Sequence, residues 1–364
     1  MTSTRTQPAS QSRTTHPTVA IVGATGAVGQ EFLRVLDQRS FPLGGLKLLA
    51  SARSAGKSVE FQGEPIVIDE LTEKSFEGVD IALFSAGGSI SKQYAQVAVD
   101  AGAVVVDNSS AFRMTDGVPL IVPEVNAEAI AEANIGLGEG QQAGIIANPN
   151  CSTIILLLAV TPIHRAVGVN RLVVSTYQAA SGAGAAAMAE LEQQTREVLA
   201  GDEPTCDIFP QQYAFNLFSH NSPLKDNGYN EEELKMVHET HKIWGQPPAG
   251  SSGKRTAITA TCIRVPVMRA HAESINLTLD MPLTEDDARQ LLAAAPGVSL
   301  IDDRENNRFP TPLDASHIDD VFVGRIRRDL SQPQGQGLDL FVCGDQVRKG
   351  AALNAVQIAE LLLG

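Results

Sequence analysis

Val19-Ala20-Ile21-Val22-Gly23-Ala24-Thr25-Gly26-Ala27-Val28-Gly29 decides the class of the fold. Four apolar residues, the length of a short strand, run directly into glycines spaced G-x-x-G-x-x-G, and a helical pattern follows through Leu36. Strand, glycine turn and helix form the start of a dinucleotide-binding unit. The glycines let backbone N–H groups approach a pyrophosphate, and the helix N-terminus presents partial positive charge to it. Such a turn also arises for steric reasons alone. Its position strengthens the reading, because it opens an alternating α/β pattern.

Leu46 to Ala50 reads as the next strand, ending in Ser51-Ala52-Arg53-Ser54-Ala55-Gly56-Lys57 with no carboxylate to hold ribose hydroxyls. An arginine flanked by serines suits a 2′-phosphate and favours NADP over NAD; a solvated basic loop is the plainer alternative. Asp80 to Phe84 and Val104 to Asp107 are further strands, with a helix from Ile90 to Ala101 between them. They close on the small-residue turns Ser85-Ala86-Gly87-Gly88-Ser89 and Asn108-Ser109-Ser110-Ala111-Phe112-Arg113. In an open α/β sheet these carboxyl ends are where ligands bind.

The same edge receives Asn148-Pro149-Asn150-Cys151-Ser152-Thr153, followed by the apolar run Ile154 to Val160. Proline and the Ser/Thr pair place Cys151 at or just before a helix N-terminus, where a thiolate, the nucleophilic form, is stabilised. A buried core cysteine is the commoner fate of a free thiol, but these flanks make a turn. With Cys151 as nucleophile, the backbone N–H of Cys151 and the Asn150 amide are candidates to stabilise an oxyanion, and His271 is a candidate base and later acid.

Composition excludes other classes. A net charge of -14 repels nucleic acid and anionic membranes, so a small anionic substrate must meet a local basic pocket. The cysteines at 151, 206, 262 and 343 lack paired spacing, which argues against a disulfide framework or zinc and fits a reducing, cytoplasmic setting; no metal site is expected. No apolar run approaches the length of a membrane span. Residues 1–17 read as a disordered tail, with an atypical targeting segment as the alternative. The length of 364 residues favours two domains.

Beyond Cys151 come a helix from Ser152 to Ala166, a strand from Arg171 to Gln178, a helix from Ala185 to Leu199, and a long loop from Gly201 to Tyr229 of functional or assembly character. In the helix Glu231 to Ile243, Glu232 and Lys235 are i,i+3 neighbours and read as an exposed ion pair. Strands Ile258–Val265 and His271–Leu279 flank Pro266. Arg264 and His271 converge only if the segment Pro266 to Arg269 bends the chain. Thr284–Ala295 is a helix, Val321–Arg327 and Leu338–Val342 are strands, and Gly350–Leu363 is a final helix.

The glycine turn, Ser51-Ala52-Arg53-Ser54, Asn148 to Thr153, Ser175-Thr176-Tyr177-Gln178-Ala179-Ala180-Ser181-Gly182, Arg264-Val265-Pro266-Val267 with His271, and Phe322-Val323-Gly324-Arg325-Ile326-Arg327 together resemble the aspartate-β-semialdehyde dehydrogenases, from about residue 18 to the C-terminus. The resemblance implies an α/β fold: a Rossmann-like NADP-binding domain over residues 18–151, and an α+β catalytic and dimerisation domain with a mixed, largely antiparallel sheet over 152–343. Residues 344–364 would return to the first domain. It implies reversible NADPH-dependent reduction of 4-aspartyl phosphate to aspartate semialdehyde with release of inorganic phosphate, toward lysine, methionine, threonine and diaminopimelate, by a homodimer or homotetramer.

Carried over by motif, Cys151 is the acyl-thioester nucleophile, His271 the acid/base, Gln178 an orienting residue and Arg264 the carboxylate clamp. Arg113 and Lys235 bind phosphate and Glu232 the ammonium. Gly26, Ala27, Arg53, Ser54, Ser181, Gly182 and Gln346 hold the cofactor, with Gly23, Thr25, Val28 and Ser85 beside them. Gln346 departs from the asparagine common in the family. A reductase of N-acetylglutamyl phosphate and a catalytically silent paralogue are the competing readings.

Overall fold

The computed structural model describes residues 15–363; most of the 1–17 tail lies outside them. The first half of the chain forms β1 (Thr18–Val22), α1 (Ala27–Gln38), β2 (Gly45–Ala50), β3 (Ser58–Phe61), β4 (Glu64–Glu70), β5 (Ile81–Phe84), α2 (Gly88–Asp100), β6 (Val104–Asp107), the short α3 (Pro123–Asn126) and α4 (Glu128–Glu132), and β7 (Ile145–Ala147). Their sheet has the order β3-β4-β2-β1-β5-β6-β7, parallel except for the β3–β4 hairpin. β5 and β6 are buried along their whole length, as strands covered on both faces must be.

The chain leaves β1 to one side for β2 and later returns to the other for β5, so β1 and β5 border a topological switch point. Two glycines make the crevice there possible. Gly23 has φ +90°, and a Cβ on it would lie 2.5 Å from the Ser85 carbonyl oxygen; a Cβ on Gly29 would lie 2.3 Å from the Gly23 oxygen. Either substitution would push the turn away from β5 or α1 off the sheet.

The rest of the chain forms α5 (Cys151–Val167), β8 (Val169–Gln178), α6 (Ala185–Ala200), β9 (Phe218–Ser219), α7 (Glu231–Ile243), β10 (Ala257–Arg264), β11 (His271–Leu279), α8 (Glu285–Ala293), β12 (Val298–Leu300), α9 (Pro312–Ala315), β13 (Val321–Arg328), β14 (Gly337–Gly344) and α10 (Leu353–Leu361). The second sheet, β12-β13-β14-β11-β8-β10-β9, is parallel only at β12–β13 and β8–β10, so it is mixed and largely antiparallel as expected. α5, apolar around its circumference from Ile154 to Val160, packs on this sheet with residues of α7 and α8. α10 instead joins the core of the first sheet through Leu353, Val356, Ile358 and Ala359.

Three departures from the sequence reading have local causes. The β3–β4 hairpin is an edge element of short mixed polar and apolar strands, turned by Gln62 and Gly63 at φ +52° and +81°. The final helix does not start regularly at Gly350: a π-helical turn, Arg348–Ala352, precedes α10. The long 201–229 loop is built on α6: Glu190 accepts from the N–H groups of Asp207, Ile208 and Phe209, and Gln194 Oε1 from those of Tyr213 and Ala214.

Candidate active site

Cys151 is the first residue of α5, half-buried on a cleft of about 350 Å³ between the two sheets. Asn150 caps the helix, its Oδ1 accepting from the N–H groups of Ser152 and Thr153 at 3.0 and 3.3 Å. Its Nδ2 donates to Glu232 Oε1 at 2.7 Å and its backbone N–H to Glu239 Oε2 at 2.6 Å. The Asn150 amide therefore orients the helix start and Glu232 through its oxygen and one of its two Nδ2 hydrogens.

Glu232 is a hub. It accepts from Asn150, from Gln178 Nε2 at 3.2 Å and from Lys235 Nζ at 2.9 Å. The ion pair expected on an exposed face is thus buried on its acidic side. Burial alone would raise the Glu232 carboxyl, but Lys235 and the hydrogen bonds hold it far below the usual range. Gln178 also donates to Ser152 Oγ at 2.7 Å, which ties the end of β8 to the first turn of α5.

Arg264 is aligned with Gln178 across the parallel β8–β10 pair. It is 4 % exposed, stands over the Phe209 ring at 5.8 Å, and donates to Ala179 O and Asn221 Oδ1 at 3.3 Å each. Among the described residues no carboxylate forms an ion pair with it, so a buried guanidinium faces the cleft ready for an anion. Arg113 is tethered instead: it pairs with Glu239 Oε1 at 3.0 Å and donates to Asn148 O and Asn108 O at 2.9 and 2.8 Å. Arg113, Lys235 and Arg264 together make the basic pocket that a chain of net charge -14 required.

The bend after Arg264 does form, and His271 opens β11 on the same cleft. The Ala179 N–H donates to its Nδ1 at 3.0 Å, so the ring proton is assigned to Nε2. Burial and Arg264 push the imidazole down to about 3, which keeps it neutral. In this tautomer it donates; the base role expected of it would need the other. Gly182 lets the ring and Arg264 approach, since a Cβ there would lie 2.9 Å from His271 Cε1 and 3.2 Å from Arg264 Nη1.

The thiol differs from the sequence expectation. Burial and the Glu232 carboxylate push Cys151 up to about 12, outweighing Arg113, Arg264 and Lys235. The helix N-terminus alone does not ionise it.

Residues 18–133 match the semialdehyde dehydrogenase NAD binding domain, and residues 160–349 the semialdehyde dehydrogenase dimerisation domain. The aspartate-semialdehyde dehydrogenase of Synechocystis is 54% identical over 345 residues, 95% of this chain and 97% of that one. The chain belongs to the aspartate-semialdehyde dehydrogenase family. Among solved structures, aspartate semialdehyde dehydrogenase II from Vibrio cholerae, complexed with ASA, is 45% identical with a TM-score of 0.88, covering 95% of this chain and 98% of that one. The Candida albicans aspartate semialdehyde dehydrogenase with NADP is 25% identical with a TM-score of 0.71, covering 95% of this chain and 98% of that one.

The crevice beside β1 is a second cleft, of about 570 Å³, lined by Gly23, Thr25, Gly26 and Ser85. Ser85 lines both clefts, while Val28, Ser181, Gly182 and Gln346 line that of Cys151. Ala27 starts α1, whose N-cap Gly26 supplies no side-chain cap and whose first turn holds no acid, a fit for a pyrophosphate. Ser54 is buried; Arg53 is exposed and outside the cleft lining. The unforeseen β4 brings Glu70 into this cleft, so a carboxylate does stand near Ser51 and Ala52. Gln346 is already engaged, accepting from Ala270 N–H at 2.9 Å and donating to Ser181 Oγ.

Sequence reading missed Glu239 and His220. Glu239 follows Glu232 and Lys235 at helical spacing on α7, a signal that was available; His220 reaches the cleft from the long loop, where no periodicity marks it.

Proposed function

We propose that the protein reduces 4-aspartyl phosphate to aspartate 4-semialdehyde, reversibly and with NADPH, through a thioester on Cys151. The observation that carries the reading is the single cleft in which Cys151 meets an ion-pair-free Arg264, the carboxylate Glu232 and the tethered Arg113. Arg264 takes the substrate carboxylate bidentately, and Glu232 takes the ammonium. That ammonium offsets the charge that most raises the thiol, so substrate binding itself eases ionisation of Cys151. Arg113 and Lys235 hold the phosphate.

The sulfur attacks the acyl carbon, the carbon–oxygen bond to phosphate breaks, and the thiol proton leaves on the departing phosphate. A thioester accepts hydride more readily than a carboxylate, and NADPH, when bound, supplies that hydride. The resulting oxyanion accepts a hydrogen bond from His271 Nε2–H; as its carbon–oxygen double bond re-forms, the carbon–sulfur bond breaks, releasing the aldehyde and a Cys151 thiolate that takes a proton from solvent. Gly23–Val28 and Ser85 would hold the cofactor, the Arg53 and Ser54 loop its 2′-phosphate, and Ser181, Gly182 and Gln346 its nicotinamide end.

The matched dimerisation domain supports an oligomer, and we read it as a homodimer. The sheet face opposite α5, α7 and α8 leaves Tyr177, Phe322 and Phe341 only partly covered, a surface fit for a second copy. Among the described residues no helix is long and apolar enough to cross a membrane.

The test is NADPH formation from aspartate semialdehyde, NADP and phosphate. Turnover that requires phosphate and vanishes in a folded Cys151→Ala variant supports the reading; a wild type silent with both NADP and NAD overturns it.

A further inference from the structure

Arg269 stands between two carboxylates from opposite ends of the chain. Its Nε donates to Asp345 Oδ2 at 2.6 Å, and its Nη2 lies 3.2 Å from Glu31 Oε2. Glu31 belongs to α1 and is 1 % exposed; Asp345 is fully buried and immediately precedes Gln346. Arg348 closes the cluster 3.2 Å from the other Glu31 oxygen. Burial would raise the Glu31 carboxyl, but Arg269 and Arg348 hold it below its ordinary value, so the cluster is ionic. Removing one member of such a buried set strands the charges of the others.

The backbone this cluster borders is unusual. Ala270 has φ +70°, a left-handed conformation that strains a residue with a Cβ. Its N–H is held by Gln346, the neighbour of Asp345, while the preceding side chain is held by Asp345 itself. His271 follows directly. Strain of this kind persists only where its surroundings over-determine it.

We infer that Arg269 is a positioning residue for His271: clamped between Glu31 of the glycine-turn helix and Asp345, it fixes the left-handed Ala270 and so aims the imidazole into the cleft. The inference rests on reading that cleft as the active site.

Three variants test it: Arg269→Ala, Arg269→Lys, and Arg269→Ala combined with Ala270→Gly, with Glu31→Gln cutting the clamp from its other side should Arg269→Ala not fold. The first readout is steady-state kinetics. The second is the pH profile of Cys151 alkylation, followed site by site to separate exposed Cys206, which needs no substrate. Arg269→Ala is expected to lower kcat at least about tenfold with KM changed less than about threefold, and to shift the alkylation profile. Arg269→Lys recovers part of the loss. Adding glycine at 270 recovers part of kcat, because glycine adopts positive φ without a Cβ penalty.

A purely structural role would lower the melting temperature and leave kcat per folded molecule unchanged. Wild-type kcat and alkylation profile in Arg269→Ala, or in Glu31→Gln in its place, would overturn the inference, as would a kcat loss that glycine at 270 does not relieve. A wild type inactive on aspartate semialdehyde would sink the proposed function instead, leaving the alkylation profile to decide this point.

Discussion

Gly350 packs its bare Cα against Cys151: a Cβ on Gly350 would lie 2.7 Å from Cys151 Cβ and 3.1 Å from its Cα. The proposed nucleophile, at the start of one helix, is thus shaped from behind by the π-helical turn that leads the chain back to the first sheet. Such insertions into helices often mark functional sites.

Gly350→Ala should therefore act on catalysis more than its size suggests. Overpacking a filled site costs about 1–3 kcal/mol, and here the atoms that must move carry the thiol. We expect a melting temperature lowered by a few degrees and a kcat lowered by at least about tenfold. Steady-state kinetics with a thermal melt checks both; an unchanged kcat would mean that the turn yields without moving Cys151.

The contrast between Gly350 and the glycine turn shows what the sequence could reveal. Gly23 to Gly29 sat between a strand pattern and a helix pattern, so local chemistry carried the reading, and β1, α1 and β2 formed where expected. Gly350 looked like an ordinary helix residue, because the atom it avoids is 199 positions away. The same distance hid the thiol's environment: the flanks of Cys151 announce a helix start, but Glu232, which raises the thiol, arrives from α7 through Asn150. Arg264 and His271 needed a bend that Pro266 merely permitted. β4, and with it Glu70, went unread because its apolar run, Ile66-Val67-Ile68, is only three residues long and is bounded by Pro65 and by acids.

Arg53 provides a test of cofactor choice. It is exposed and outside the lined cleft, while Glu70 lines it, so the role we propose for it at a 2′-phosphate requires its side chain to reach in from the rim. A hydrogen bond to a charged group contributes about 1.5–3 kcal/mol, so Arg53→Ala should raise KM for NADPH by about ten- to a hundredfold and leave NADH within about twofold. Equal losses for both would remove Arg53 from the 2′-phosphate.

Glu273 predicts a pH dependence of stability. It lies on β11 between Thr176 and Val342 in register, fully buried, and among the described residues neither carboxyl oxygen has a hydrogen-bond partner. Burial raises it well above its ordinary 4.5, so the folded protein holds a proton there that the unfolded chain releases. A raised acid favours folding below the unfolded value and loses that contribution as pH rises, by up to about 1.4 kcal/mol per unit until the folded value is reached. Glu273→Gln, neutral at every pH, should gain stability relative to wild type between pH 5 and 8, as read by denaturant unfolding. A pH-independent difference would mean that Glu273 is ionised in the fold.

Glu232→Gln separates the two jobs assigned to that residue. The glutamine oxygen can still accept from Asn150 and Gln178, and Lys235, already partly exposed, can turn to solvent, so the cleft keeps its shape while losing one negative charge. Glu232 is the leading charge that raises Cys151, so its removal should lower the thiol from about 12 and speed alkylation of the free enzyme at pH 8. The substrate ammonium, however, loses its counter-charge, and KM for aspartate semialdehyde should rise by at least about tenfold. A more reactive cysteine in a less effective enzyme is the expected pair of results. Slower alkylation would show that Glu232 supports the thiolate through the helix cap instead of opposing it by charge.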